Sequence, residues 1–265
     1  YMASAVDEAS GNLYVAYVDQ TDNDHLKVKF YDGSAWNDLG GTVSTIGNVL
    51  FPSIRVNPAT NEVWVAYRTD ISPSNRILMV KRYDGSSWTI EGQDIAGSDF
   101  FGNPYIPTQK IILRFSPTGD AYIAFIFAQS PSVGSWVTSN RTGSWVNEIA
   151  GASRAYGIDF PSYRLFFQIN ESGVPITTNL SRRALNTSTN NWSSQTAINV
   201  GNLPQDDYQG LGVTTGSVLA ATHNFNSNND IDVITWNASL ASPLNSELTD
   251  GKSIQLMRNP IDGLS

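Results

Sequence analysis

Three arginines recur in related surroundings. They are Arg55 in Phe51-Pro52-Ser53-Ile54-Arg55-Val56-Asn57-Pro58, Arg164 in Phe160-Pro161-Ser162-Tyr163-Arg164-Leu165, and Arg114 in Arg114-Phe115-Ser116-Pro117. A guanidinium is planar, permanently charged and forked, so several converging on one point would suit a carboxylate or sulfate group. The competing reading is structural, each arginine pairing with an acid or covering a tryptophan. Aromatic residues form a second set: Phe51, Phe100, Phe101, Tyr105, Tyr156, Phe160 and Tyr208 gather between the apolar runs. Exposed rings could stack on the apolar face of a sugar or hold a peptide side chain. Phe51 and Phe160 precede proline at matching places, which points to packing and leaves Tyr105, Tyr156 and Tyr208 as the candidates for contact with a ligand. A third set is rich in oxygen: Asp19, Asp22 and Asp24 within Asp19-Gln20-Thr21-Asp22-Asn23-Asp24, and the run Asn224 to Asp230. Calcium takes six to eight oxygen ligands, so such runs could supply part of a site, although ordinary turn preference also produces them and the EF-hand pattern is absent.

Composition removes other chemistries. There is no cysteine, and His25 and His223 are the only histidines, so thiol nucleophiles, zinc fingers and histidine-rich metal centres are out. With 16 Lys plus Arg against 24 Asp plus Glu, the net charge is −8, the wrong sign for displacing counterions from nucleic acid. No apolar run approaches the roughly 20 residues of a membrane-spanning helix. Charged residues make up 15% of the chain, below the roughly 25% usual for soluble domains, with Ser, Thr and Asn in their place. That composition suits an extracellular or cell-surface protein. Phosphate-binding loops, HExxH helices and Gly-x-Ser-x-Gly elbows are absent, and no cofactor is expected beyond calcium.

The elements that must position these residues are repeated. Gly11 to Tyr17 returns as Thr60 to Tyr67, and Phe30-Tyr31-Asp32-Gly33-Ser34-Ala35-Trp36 returns as Arg82-Tyr83-Asp84-Gly85-Ser86-Ser87-Trp88, with weaker echoes ending in Trp145 and Trp192. Units start near residues 1, 51, 107, 160 and 207, and a sixth start appears near 252. Each unit carries four short runs rich in Val, Ile, Tyr, Phe and Trp, separated by turn residues, the pattern of strands. In the second unit these are Ser53 to Val56, Val63 to Thr69, Ile77 to Tyr83 and Ser87 to Ile90. The expectation is an all-β protein: a β-propeller of four-stranded antiparallel blades, five complete repeats plus the start of a sixth, over one domain of residues 1–265 that is either complete or part of a larger ring. A two-sheet sandwich is the rival, but it would need no internal repeat. The four tryptophans should pack under neighbouring blades.

The hairpins Tyr31 to Trp36 and Tyr83 to Trp88 resemble the third-to-fourth strand hairpin of fucose-binding propeller lectins, and are similar to the Asp-box hairpins of sialidase-like propellers. The first resemblance implies glycan binding. The second implies an arginine cluster for an anionic sugar, yet no tyrosine nucleophile with its glutamate, nor an acid, can be picked out here.

Strand alternation puts the first-to-second and third-to-fourth turns on one face, all of them short. The opposite face collects the second-to-third loops and the connections between units, expected to be long at Gly40 to Leu50, Gly92 to Ile106, Ile149 to Asp159 and Asn199 to Tyr208. Loops on a rigid scaffold carry binding chemistry, so this face, with Arg55, Arg114 and Arg164 reaching it from first strands near the channel, is the expected site. The leading functional expectation is a secreted or cell-surface recognition module, binding a glycan or an extracellular protein through that face or through clefts between blades. One alternative is a carbohydrate-active enzyme, a sialidase-like hydrolase or polysaccharide lyase, with its site at the channel mouth. The other is a structural spacer in an adhesin.

Overall fold

The computed structural model describes residues 1–72, 75–95, 107–129, 132–151, 155–172, 177–198, 207–214, 217–224 and 230–236. The chain forms two compact units, Tyr1–Gly151 and Ala152–Ser265. Among the described residues every regular element is a strand, and no helix is long and apolar enough to cross a membrane.

The first unit holds three sheets, each four-stranded, antiparallel and in sequence order. The first sheet contains β1 (Met2–Val6), β2 (Leu13–Asp19), β3 (His25–Tyr31) and β4 (Trp36–Thr42). The second contains β5 (Val49–Val56), β6 (Val63–Ser72), β7 (Asn75–Tyr83) and β8 (Trp88–Gln93), and the third β9 (Pro107–Phe115), β10 (Ala121–Gln129), β11 (Ser132–Ser139) and β12 (Val146–Gly151). In the second unit, β13 (Ala155–Ser162), β14 (Leu165–Ser172), β15 (Thr177–Asn186) and β16 (Asn191–Trp192) pair in order, and β17 (Thr196–Ile198) also pairs with β15. There β18 (Asp207–Thr214), β19 (Ser217–Asn224) and β20 (Asp230–Trp236) form a further sheet. Among the described residues, strand starts at Met2, Val49, Pro107, Ala155 and Asp207 head five sheets. The run expected to open a sixth, near 252, lies outside the described residues.

The Asp-Gly hairpins form because a short carboxylate can do the work of a backbone partner. Asp32 accepts hydrogen bonds from the amides of Ser34 (2.8 Å) and Ala35 (2.9 Å) and from the Ser34 hydroxyl (2.7 Å). Asp84 repeats this with Ser86 and Ser87, and Gly33 and Gly85 supply the left-handed φ of 96° and 97° that side chains resist. The turn before Trp192 uses Asn186 instead, whose amide oxygen accepts from Ser188 (2.9 Å) and Thr189 (3.2 Å).

Two apolar layers hold the first unit together. Tyr14, Ala16, Leu26 and Val28 of the first sheet meet Val63, Val65, Tyr67 and Met79 of the second. The other face of the second sheet, with Trp64, Ala66, Leu78 and Val80, meets Ile123, Phe125, Phe127 and Trp136 of the third. Alternation along each strand explains this, since successive side chains of β6 point to opposite neighbours and both directions are buried. First strands adjoin: the Arg55 guanidinium donates to the Ser4 carbonyl, and the Leu113 amide donates to the Ser53 hydroxyl.

Two outer tryptophans lock onto the preceding sheet. The Trp88 indole donates to the Leu39 carbonyl (3.0 Å), and Trp145 donates to the Glu91 carbonyl (2.8 Å). The next residue in each acceptor strand is a glycine. A Cβ on Gly40 would stand 2.5 Å from the Tyr83 ring, and one on Gly92 would stand 2.6 Å from the Trp145 nitrogen. Trp36, in the first sheet, remains 49% exposed.

Several expected boundaries move. The long connection between 149 and 159 shrinks, because β12 runs to Gly151 and β13 already begins at Ala155. Tyr156 and Tyr208 consequently fall within β13 and β18, not in connections.

Candidate functional site

The equivalent positions of the first and second sheets can be paired through their registers. Leu13 faces Tyr31 as Val63 faces Tyr83, and Tyr31 faces Trp36 as Tyr83 faces Trp88. On the side that meets the next sheet, Asn12, Phe30 and Leu39 of the first sheet therefore correspond to Glu62, Arg82 and Glu91 of the second. In the first cleft Phe30 stacks on Tyr14 at 5.9 Å, and Phe30 and Leu39 pack against the apolar core. In the second cleft the same places hold charge.

Arg82, on β7, sits between two carboxylates. Its Nη1 donates to Glu62 at 2.5 Å and its Nε donates to Glu91 across the β7–β8 pair. These bonds, Glu91 first, raise the guanidinium above its usual range. A cation shared by two anions makes both carboxylates acceptors, and the second oxygen of Glu62 also accepts from the Thr60 hydroxyl at 2.8 Å. The side chains of Arg82, Glu62 and Glu91 are 31%, 23% and 26% exposed, so the set is framed by protein yet reachable. Half-buried Trp145 closes the outer side, where its indole holds the Glu91 carbonyl. On the inner side Trp64, the register partner of Arg82, stacks edgewise on Phe115 at 5.4 Å. Its buried indole nitrogen has no hydrogen-bond partner among the described residues.

The residues expected from sequence are placed differently. Arg55 and Arg114 stand next to the last residues of β5 and β9, where these strands enter the short first-to-second turns. Arg164 is not in a first strand but in the turn between β13 and β14. All three thus belong to the short-turn ends, and the expectation that they reach the long-loop face is corrected by strand direction alone. Arg55 bonds the carbonyls of Ser4 (3.1 Å) and Ile54 (2.8 Å), Arg114 bonds that of Leu113 (3.0 Å), and Arg164 lies over the Tyr163 ring at 5.6 Å. Tyr105, Phe100 and Phe101 lie outside the described residues, and Tyr156 and Tyr208 are placed by their strands only.

Asp19 and Asp22 hold a cation that the chain itself supplies. Lys27 Nζ bonds Asp19 at 2.8 Å and Asp22 at 2.9 Å, and His25 lies 3.5 Å from Asp22. Chiefly through Lys27, Asp19 is lowered to about 2 and Asp22 is lowered too, while Lys27 is raised, chiefly by Asp19. Asp24 stands in the left-handed region at φ 55°, as part of the turn. Among the described residues no three metal-ligating side chains gather at one point. Residues 225–229 of the second oxygen-rich run lie outside the described set.

At the long-loop end the sequence reading missed Arg68. It is buried, forked onto Asp70 at 2.7 and 2.9 Å, bonded to the Pro107 carbonyl, and set over the Phe51 ring. It ties the second sheet to the third through the Pro107 carbonyl. The Glu62–Arg82–Glu91 set was legible in principle, because aligning the units shows charge where the preceding repeat has the uncharged Asn12, Phe30 and Leu39.

No family model matches the sequence, and no curated protein matches it. Solved structures do match. A mutant of Aleuria aurantia lectin in complex with alpha-methyl-L-fucoside aligns at 9% identity with TM-score 0.53, covering 89% of this chain and 74% of that one. The polysaccharide lyase Uly1 aligns at 10% identity with TM-score 0.52, over 89% of this chain and 56% of that one. The chain has a β-propeller fold. An endo-arabinase from Bacteroides thetaiotaomicron is also similar, at 10% identity and TM-score 0.46 over 88% of this chain and 92% of that one. Likeness at such identities speaks for the blades and their order, and a fold of this kind hosts unrelated activities.

Proposed function

We propose that the chain is a carbohydrate-recognition module, secreted or displayed at a cell surface, whose ligand enters the cleft between the second and third sheets. The observation that carries this reading is the reachable Glu62–Arg82–Glu91 set beside Trp145, at positions that are uncharged in the adjoining cleft. A sugar ring needs hydroxyl acceptors, hydroxyl donors and a flat apolar surface, and carboxylates, guanidinium and indole supply these in turn. The alignments to a fucoside-bound lectin and to a polysaccharide lyase agree with carbohydrate as the ligand class.

Recognition is favoured over hydrolysis by the arrangement of the acids. Glycoside hydrolysis by a carboxyl pair requires one of them to deliver a proton, whereas Glu62 and Glu91 each bond the same guanidinium. The test is a glycan array probed with the full chain and with Arg82→Ala and Trp145→Ala variants. Binding to at least one glycan, reduced tenfold or more in both variants, is expected. Unaltered binding in both would remove the cleft as the site, and release of reducing ends or of unsaturated uronides from bound polysaccharides would replace recognition by catalysis.

A further inference from the structure

We infer that the cleft between the second and third sheets selects neutral sugars and rejects uronates, sialates and sulfated sugars. The inference rests on the carbohydrate reading above and deepens it by naming the ligand class.

Formal charge around the cleft is two carboxylates against one guanidinium. Arg82 already spends Nε on Glu91 and Nη1 on Glu62, so the two groups of its fork nearest the acids are committed. An anionic ligand would have to bond what remains of that fork while lying beside both carboxylates. At the partial exposure of these side chains, solvent weakens such repulsion without removing it. A neutral polyol meets no such conflict. Its hydroxyls donate to the second oxygen of Glu91 and share Glu62 with the Thr60 hydroxyl, and they accept from Arg82, while an apolar ring face rests on Trp145. The Trp64 indole, 5% exposed, closes the inner side of this set and adds no charge to it. The first cleft supplies the internal control, since Phe30 and Leu39 leave it without the guanidinium and the carboxylates while Trp88 keeps the outer indole.

The experiment measures binding of the full chain to methyl glycosides of fucose, galactose, mannose and arabinose. The acidic panel consists of glucuronate, galacturonate, N-acetylneuraminate and galactose 6-sulfate, all read by saturation-transfer NMR and calorimetry at fixed ionic strength. The expected result is saturable binding of at least one neutral glycoside and none of the acidic sugars. Glu62→Gln and Glu91→Gln should narrow the gap, raising affinity for an acidic counterpart of the bound sugar about tenfold relative to the neutral one. Near-native folding of both variants is checked by their melting curves, and Glu62→Asp should retain the wild-type preference. An acidic sugar bound more tightly than every neutral one, and lost in Trp145→Ala, would overturn the selectivity while leaving the carbohydrate reading in place. Failure of both panels to bind would overturn that reading and the selectivity together.

Discussion

The two clefts of the first unit are built from equivalent strands in the same register, and three positions separate them by charge. Where the first sheet offers Asn12, Phe30 and Leu39, the second offers Glu62, Arg82 and Glu91. Below these positions both clefts are apolar, with Leu26, Val28 and Tyr67 buried in one and Leu78, Val80 and Phe125 in the other. Above them both are locked by an indole on a backbone carbonyl next to a glycine. Cohesion therefore resides in the shared layers, and the proposed function in what is varied between them. A repeat can lose apolar contact at its outer end without coming apart because the lock and the core remain.

The largest effect should come from the lock. Trp88→Ala removes a ring packed on Gly40 together with its hydrogen bond to Leu39, and should cost roughly 3 kcal/mol, as for truncation of a large aromatic. Trp36→Ala, at the same position of a sheet whose outer tryptophan is half exposed, should cost under about 1 kcal/mol. Urea unfolding of the two variants measures the difference. Equal costs would mean that the ring is valued for its own hairpin, where Tyr31 and Tyr83 contact it alike, and not for the neighbouring sheet.

A second change turns one cleft into the other. Arg82→Phe with Glu91→Leu places the first cleft's residues in the second, and glycan binding should disappear. Stability should change by less than about 1 kcal/mol, because partly exposed ion pairs contribute little and apolar replacements offset their loss. Arg82→Phe alone should be worse than the pair, since it strands Glu62 and Glu91 together. A melting series of the single and double variants, with glycan binding measured on each, tests both statements. A double variant that unfolds would show that the charged set is part of the cement.

Much of this was legible from residues alone. The Asp-Gly-Ser hairpins and the repeated tryptophans identified the blades, because turn chemistry and strand alternation are local. Even the turn at Asn186, which lacks the Asp-Gly pair, works by the same side-chain acceptor. The site was less legible for two physical reasons. Recurrence drew attention to Arg55, Arg114 and Arg164, yet recurring residues do recurring structural work, and Arg55 spends its donors on the Ser4 and Ile54 carbonyls. The informative signal was the reverse, charge at Arg82 where the preceding repeat has Phe30. Asp19 and Asp22 misled because Lys27, five residues beyond Asp22, returns between them only once β2 and β3 pair.

The smallest effect separates the Asp turns of the first two sheets from the Asn turn of the fourth. Backbone and hydroxyl donors, the Ser87 amide foremost, hold Asp84 down to about 2 from an ordinary 3.8, and Asp32, led by the Ala35 amide, is depressed as well. A carboxyl depressed on folding stabilises fully above its unfolded value, and the contribution fades as pH falls through its folded value. Stability should therefore decline between about pH 4 and pH 2, with these turns contributing alongside Asp19 and Asp22. Asp84→Asn should flatten only its share of that slope while leaving stability at pH 7 nearly unchanged, because Asn186 shows an amide oxygen making the same two backbone bonds. Melting temperatures of the wild type and variant across this pH range provide the measurement. Parallel curves would locate the acid sensitivity elsewhere, with the Lys27 cluster the next carboxylates to neutralise.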